Sequence, residues 1–499
     1  MGEAAMTTIR SLPLVMPCRS PQTRRLTPAI RAKQPWRLFM RINTGIVIAA
    51  MLLCGWPLVA HALNIYFDTS AYRQNVWIVI KGPFTGSYNG TNYNLAANAN
   101  SAGIALVGDS VPLVVTTANS SAIFVCYDNP SSFPSSGEPY YFTSPLRYQP
   151  FELTMTGSDS DNGNLTAINY FTAPLGIASY QNDPIAQPGQ TPLQRIGWKA
   201  GTGVIASWFS SPAINTSNAV VKVNGQIIRY IGPSSYDPNN ASLPNPWPSF
   251  LPYTQAIHSA STTFNLNNSV QYNLSNGTNV FHLNLTASAG ADGSLSATGS
   301  ITVSILNSQA APIVYSNVAV SVPATAPASF NAVIYGGNNI DYTGSPPYPD
   351  HALGYATITG VTDFRTYVGN NYSTQSGDPY MPYTQFMDFI FGELATSLLG
   401  GFVLSPYGSQ PSSDWWTLGK AFSLVQSNPN YYNKYANVVY TLSNNEVYST
   451  SYTDRFGKVS INSVKYGGAS VNSWVVGIGA PLPASLATAP QNLLLLDQN

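Results

Sequence analysis

From Leu63 to about Tyr180 the chain is cut into short apolar or alternating runs by clusters of Gly, Asn, Ser and Pro. The runs are Leu63 to Phe67, Val76 to Lys81, Gly103 to Val107, Val111 to Thr116, Ala122 to Tyr127, Phe151 to Thr156 and Leu165 to Phe171. Each is too short for an amphipathic helix, and the breakers arrive at the spacing of turns between strands. A stretch punctuated in this way points to an all-β sandwich or barrel.

Gly203 to Phe209 follows as a short helix, and Val220 to Tyr230 carries a central Asn224-Gly225, the strongest two-residue hairpin signal. Residues 232 to 249, with Pro233, Pro238, Pro244, Pro246 and Pro248, form a breaker-rich joint. Beyond it the pattern predicts strands at about 261 to 285 and 297 to 305, then a loop-rich stretch through Pro346-Pro347. Two helical patterns come next, one on Phe386, Phe389, Ile390, Leu394, Leu398 and Leu399, the other on Trp415, Trp416, Leu418, Phe422 and Leu424. Both stripes read as core. The end returns to β at Val438 to Leu442, Val447 to Tyr452 and Val459 to Ile478. The expected architecture is mainly β with an α/β part. A β domain (63–245) is interrupted by a mixed α/β domain (246–440) and completed by 441–482, with a tail at 483–499.

Charge narrows the partners. Only 8% of the 499 residues are charged, against 44% hydrophobic and 12% aromatic, which excludes a disordered polyelectrolyte, a coiled coil and a basic nucleic-acid binder. The formal net charge of zero joins two unlike pieces. Residues 1 to 62 hold eight Lys/Arg and one acid, Glu3, leaving 13 basic and 20 acidic residues and a net of −7 for the remainder. Such a surface suits a neutral or cationic partner, such as neutral carbohydrate, rather than nucleic acid or anionic lipid.

The basic piece has its own reading. From Met40 it runs Met-Arg-Ile-Asn, an apolar core from about Gly45 to Leu58, then Ala60-His61-Ala62, the layout of a secretory signal peptide cut near Ala62. The apolar run, broken by Trp56-Pro57, falls short of the ~20 residues of a membrane span. The expectation is a secreted or periplasmic protein, free of the membrane after cleavage; residues 1 to 39 are assigned no fold. Cys18 and Cys54 lie in this leader, so Cys126 remains alone and no intramolecular disulfide is expected. His258, His282 and His351 are scattered and no metal-ligand spacing appears, so no metal and no cofactor are expected.

Beyond the leader there are only four glutamates, Glu138, Glu152, Glu393 and Glu446. Glu393 reads as the polar side of a helical stripe and Glu446 as a turn residue. Glu152 interrupts Phe151-Glu152-Leu153-Thr154-Met155-Thr156, where odd positions are apolar and even ones face away from the core. A turn centred between Ser160 and Asp161 would put Leu153 opposite Ile168, Phe151 opposite Tyr170 and Glu152 opposite Asn169, as neighbours on one face. Two carboxyl groups flanking a glycosidic bond, ~6.5 to 9.5 Å apart, are what inverting hydrolysis uses. Asp at 169 would supply the second; Asn does not act as a base. By itself Glu152 also reads as a solvated strand residue.

Five stretches in order carry a resemblance: Asn75 to Gly82, Phe151 to Thr154, Leu165 to Gly176 (Leu-Thr-Ala-Ile-Asn-Tyr-Phe-Thr-Ala-Pro-Leu-Gly), Val223 to Pro233 and Glu446 to Asp454. Over roughly residues 63 to 482 the chain resembles glycoside hydrolase family 64, the β-1,3-glucanases with a thaumatin-like catalytic domain. The resemblance implies a thaumatin-like β-sandwich or barrel with an inserted mixed α/β domain, and a wide groove for β-1,3-glucan. It implies Glu152 as general acid, with Asn169 where the family has its general-base Asp. Asp454 is the first substitute base, because its segment is expected to return beside the site; Asp183 and Asp341 are weaker ones. Thr154 and the aromatics Tyr140, Tyr141, Tyr170, Tyr180 and Trp198 are candidates for substrate binding, each with ordinary packing as its alternative. Three functions stay open: an inverting endo-β-1,3-glucanase, a catalytically inactive glucan or cell-envelope polysaccharide binder, and a structural surface protein. A monomer is expected.

Overall fold

The computed structural model describes residues 62–480 apart from 73–74, 212–213, 215–217, 337–351, 354–355, 373–380 and 452–458. The leader, Asp341, His351, Asp454 and the tail lie outside these residues.

The strands of the first part are β1 (Leu63–Asp68), β2 (Trp77–Lys81), β3 (Phe84–Tyr88), β4 (Thr91–Leu95), β5 (Ile104–Ala105) and β6 (Leu113–Cys126). Then come β7 (Tyr148–Met155), β8 (Asn162–Leu165), β9 (Tyr170–Phe171), β10 (Leu175–Tyr180), β11 (Gln194–Gly197), β12 (Val220–Val223) and β13 (Gln226–Ile231). The middle of the chain supplies β14 (Phe264–Leu274), β15 (Gly277–Ala289), β16 (Leu295–Ile305), β17 (Ile313–Val322), β18 (Ala352–Leu353) and β19 (Ala356–Thr359). The end supplies β20 (Ser460–Asn462), β21 (Lys465–Tyr466), β22 (Ala469–Ser470) and β23 (Ser473–Ile478).

One large sheet runs β11-β10-β23-β1-β6-β7-β8-β20, with β2 to β5 attached through β6. Its ends nearly close: Gln194 of β11 accepts from Asn462 N of β20 at 2.8 Å, and Trp474 Nε1 of β23 donates to Asn462 O at 3.0 Å. Two of the expected runs, 111–116 and 122–127, are a single strand, β6. It bends at a bulge between Ala118 and Ser121, where Ser120 adopts φ +52°. Its first half pairs with β1 and β3 and its second half with β2 and β7, so one strand serves four neighbours by turning the sheet's corner. The Asn224-Gly225 hairpin forms as expected, with both residues at positive φ.

A second, six-stranded antiparallel sheet, β14-β15-β16-β17-β19-β18, lies in sequence between β11 and β20. Its apolar face carries Leu266, Phe281, Leu283, Leu285, Ile301, Val303, Val318 and Val320, and Phe281 packs against Phe364 and Phe386 on the helices Thr362–Asn370 and Met381–Leu399. The other face is Asn, Ser and Thr in water, the alternation of a one-sided sheet. The chain is therefore mainly β, with a barrel-like sheet and an α/β part set into it.

Several local expectations change: Val447 to Tyr452 forms no strand among its described residues, where Tyr448 makes a single bridge to Thr166, and Leu165 to Phe171 is divided between the end of β8 and β9. Val438 to Leu442 is not a strand but part of helix Lys434–Ser443, whose ends are fixed by Asn433, accepting from Ala436 N, and by Asn444 in the left-handed conformation. Capping at both ends outweighed the β-branched run. Glu393 is not on a solvated side: it is fully buried within helix Met381–Leu399.

Candidate functional site

In β7 the odd residues Phe151, Leu153 and Met155 point into the core, and the even residues Tyr148, Pro150, Glu152 and Thr154 share the opposite face. Pairing across the sheet sets a transverse row on that face: Lys81 opposite Ala122, Ala122 opposite Glu152, Glu152 opposite Asn164 and Asn164 opposite Ser460. Ala122, the smallest member, lets the long side chains of Lys81 and Glu152 approach from either side. Asn164 Nδ2 donates to Glu152 Oε2 at 2.9 Å, while Asn164 Oδ1 is buried without a partner among the described residues. Glu152 Oε1 accepts no hydrogen bond from the described residues. Burial raises the Glu152 pKa above the ordinary carboxyl value, and the Asn164 hydrogen bond and the Lys81 charge only partly offset this.

This register differs from the expected one. Glu152 faces Asn164 rather than Asn169, because the turn closes earlier than its composition suggests. Asp161, nearly buried, accepts from the backbone of Thr156 and from Ser158 N, and so gathers residues 156 to 161 into the loop. Gly163 then passes so close to its neighbours that a Cβ would come within 2.3 Å of Glu152 O and 2.6 Å of the Trp474 ring, which only Gly permits. Asn169 lies beyond the hairpin on an exposed bend, its carbonyl accepting from Gly232 N at 2.7 Å and from Ser235 Oγ at 2.7 Å.

The other end of the same face is covered by the loop between β6 and β7, and there the structure brings in a residue the sequence reading passed over. Tyr170 Oη donates to Glu138 Oε1. Tyr170 stacks edgewise on Tyr148, ring centroids 5.5 Å apart, and the guanidinium of Arg229 lies 4.5 Å from the Tyr148 ring centre and 5.2 Å from that of Tyr170. Arg229 is fully buried, and its donors go to the carbonyls of Tyr141 (2.7 Å), Ser144 (3.3 Å) and Leu146. Burial pushes the Glu138 carboxyl up to about 7 against the downward pull of Tyr170, Arg229 and Lys81; the charge of Glu152 adds to the rise. The signal was present in the sequence: one of only four glutamates beyond the leader, between Gly137 and Pro139, with Tyr140-Tyr141-Phe142 after it.

The remaining candidates divide. Tyr141 is half-buried and packs on Tyr170 at 5.5 Å, and Tyr140, 55% exposed, stacks beside it. Thr154 Oγ1 accepts from Ser120 N at 3.2 Å. Trp198 is buried against Phe171, and Tyr180 belongs to a separate small cluster with Tyr66, Ala178 and Val475. Asp183 is used in a turn, where burial is outweighed by hydrogen bonds from Tyr66 Oη and from the backbone of Ala186 and Ile185, which lower its pKa. Asp454 and Asp341 lie outside the described residues, but the start of the Asp454 segment is placed: Tyr448 bridges to Thr166, immediately after β8. Cys126 is buried, its thiol pushed up to about 12 by burial and by Asp128, so it is unreactive packing. Among the described residues no group of three His, Cys, Asp or Glu is arranged to hold a metal ion, and no helix is long and apolar enough to cross a membrane.

No protein family and no curated protein matches the chain. Solved structures similar to it include a β-1,3-glucanase domain (GH64) from Clostridium beijerinckii, 13% identical, covering 84% of this chain and 98% of that one, with a TM-score of 0.41. A laminaripentaose-producing β-1,3-glucanase in complex with laminaritetraose is 11% identical over 84% and 98%, with a TM-score of 0.44. A GH family 64 laminaripentaose-producing β-1,3-glucanase from Paenibacillus barengoltzii is 12% identical over 85% and 76%, also at 0.44.

Proposed function

We propose that this chain is a secreted glycoside hydrolase-like protein acting on β-1,3-glucan, by inverting hydrolysis with Glu152 as general acid. The observation that carries the reading is the state of Glu152: an acidic side chain in the middle of a polar row, drawn out of water so that it keeps its proton above the usual pH, with one oxygen held by Asn164 and the other uncommitted among the described residues. A proton donor to a glycosidic oxygen needs that raised pKa and that free edge. The family resemblance of the Phe151 to Thr154 and Leu165 to Gly176 segments supplies the substrate class, and the leader supplies export.

A second reading is favoured by one observation. Asn stands both at 164, opposite Glu152, and at 169, where the resemblance places a base. A site with an acid and no base would bind glucan without cutting it.

Reducing-sugar release from soluble and insoluble β-1,3-glucan, between pH 2 and 7, separates the two. Release that Glu152→Gln abolishes supports the hydrolase. Retention on insoluble glucan without release at any pH makes the protein a binder, and neither retention nor release rejects both.

A further inference from the structure

The segment around Glu138 is tied to the Glu152 face from three sides. Asn100 Nδ2 donates to Pro134 O at 2.8 Å and Gly137 O at 2.7 Å, and Asn100 is bridged to Lys81, the member of the transverse row two strands from Glu152. Tyr148, on the face of β7 that also bears Glu152, donates to Pro139 O at 2.8 Å. Tyr170 grips Glu138 Oε1 and is itself clamped by Tyr148 and the buried Arg229. Oε2 of Glu138 accepts no hydrogen bond from the described residues. This is much apparatus for one loop carboxyl: a buried cation, two aromatic rings and an amide hold it on the sheet face that also presents Glu152. A carboxyl whose only task was to accept from Tyr170 could be replaced by a backbone carbonyl without the cost of taking a charge out of water.

We propose that Glu138 is the second catalytic carboxyl of this site, forming with Glu152 the acid–base pair for hydrolysis of a neutral β-glucan. This rests on the hydrolase reading above and supplies the base that Asn164 and Asn169 do not. Two carboxyls that feel each other lose their protons in two steps, and the singly protonated form contains one acid and one base. Because the charge of Glu152 raises Glu138, the prevailing singly protonated form holds its proton on Glu138, and hydrolysis runs through the tautomer in which Glu138 is the anion. In that tautomer Glu152 gives its proton to the glycosidic oxygen as the bond from the anomeric carbon to that oxygen breaks, the bonding pair leaving with the oxygen. Glu138 takes a proton from the water whose oxygen forms the new bond to the anomeric carbon. One water is consumed, the configuration inverts, and the pair ends with its proton on Glu138, to be redistributed through solvent. Lys81, facing both carboxyls electrostatically, favours the single negative charge of the working form.

The test uses the full chain and three variants: Glu138→Gln, Glu138→Ala and Glu152→Gln. Glu138→Gln keeps an acceptor for Tyr170 and should lower glucan hydrolysis by about 10²-fold or more while retention on insoluble glucan is unchanged. Glu138→Ala leaves a gap in which azide can replace the activated water, so added azide should restore cleavage of the glucan chain, read as a glycosyl azide of inverted configuration rather than as new reducing ends. A merely structural role would show no such rescue. If Glu152→Gln abolishes release while Glu138→Gln retains at least half of it, this proposal is wrong and the hydrolase reading stands. If the unmodified protein releases no sugar, both fall together. Carbon-13 titration of the glutamate carboxyls gives a further arm: Glu152→Gln should lower the Glu138 titration, and an unmoved titration would show that the two are no pair.

Discussion

Glu152 and Glu393 are both glutamates withdrawn from water, one in each β region, and they are treated in opposite ways. Glu393, on helix Met381–Leu399, is fully buried and accepts from Asn268 Nδ2 at 3.0 Å and from Trp416 Nε1 at 3.1 and 3.2 Å, so that both its oxygens have partners. Among the described residues Glu152, half-buried on the barrel face, has a single donor on one oxygen and a neighbour, Asn164, whose own Oδ1 is unpaired. A saturated carboxylate ties elements together; a half-saturated one is available to something that arrives. Glu138 shows the same unspent capacity as Glu152. The contrast therefore sorts the glutamates by hydrogen-bond satisfaction rather than by depth.

The largest effect that would break this contrast is catalytic. Glu152→Gln is expected to reduce sugar release by about 10² to 10⁴-fold, with the unfolding midpoint nearly unchanged because its one donor can still be met by the amide oxygen. Glu393→Gln should leave the rate alone. If the two variants exchange these phenotypes in parallel assays of release and urea unfolding, satisfaction is the wrong criterion.

Next in size is the buried cation that shapes the barrel site. Arg229→Met removes donors from the carbonyls of Tyr141, Ser144 and Leu146 and takes the guanidinium from between Tyr148 and Tyr170. Buried acceptors left unpaired, with the lost ring contacts, should cost roughly 3 to 5 kcal/mol in urea unfolding. Turnover should fall as well, since the clamp on Tyr170 loosens. A loss under 1 kcal/mol would mean that the loop stands without Arg229.

The pH dependence of stability sharpens the same point. Glu138 has a folded pKa of about 7 against 4.5 for the ordinary carboxyl, so the folded protein binds its proton more tightly than the unfolded chain does. Its favourable contribution is complete below about pH 4.5 and is lost as pH rises to about 7, a span of about 3 kcal/mol. Glu152 acts in the same direction. Unfolding free energies between pH 4.5 and 7.5 should fall with rising pH, and Glu138→Gln should flatten that slope. A slope unchanged in the variant would place Glu138 in water.

How much of this was legible in the sequence follows from the range of the interactions. The periodicity of 2 in Phe151 to Thr156, the Asn224-Gly225 turn and the stripe on helix Met381–Leu399 are local, and the structure carries them as read. The face on which Glu152 stands was legible for the same reason. Its partner was not, because the register turned on Asp161 gathering its own loop and on Gly163 sliding past the Trp474 ring, which lies 311 positions along the chain. Glu138 was hidden more deeply. Gly137, Pro139 and the aromatics after it single out the position without burying it; the burial comes from Tyr170 and Arg229, brought in by β9 and β13. Val438 to Leu442 reads locally as a strand because of its β-branched residues, whereas the asparagines on either side of Lys434–Ser443 cap it as a helix.

The smallest effect concerns the saturated glutamate itself. Trp416 Nε1 lies within reach of both Glu393 oxygens, so Trp416→Phe keeps most of the packing against Phe402 while deleting the donor. Glu393→Gln replaces one acceptor oxygen with an NH₂ group facing a donor. Each change alone should cost about 1 to 3 kcal/mol, as expected when a buried polar group loses its partner. Together they should cost less than their sum, because the second removes a group the first has already left unpaired. A double-mutant cycle in urea at one pH measures that coupling, and sugar release should stay at the unmodified level in all three variants. Strict additivity would show that the indole and the carboxylate do not depend on each other, and Glu393 would then be held through Asn268.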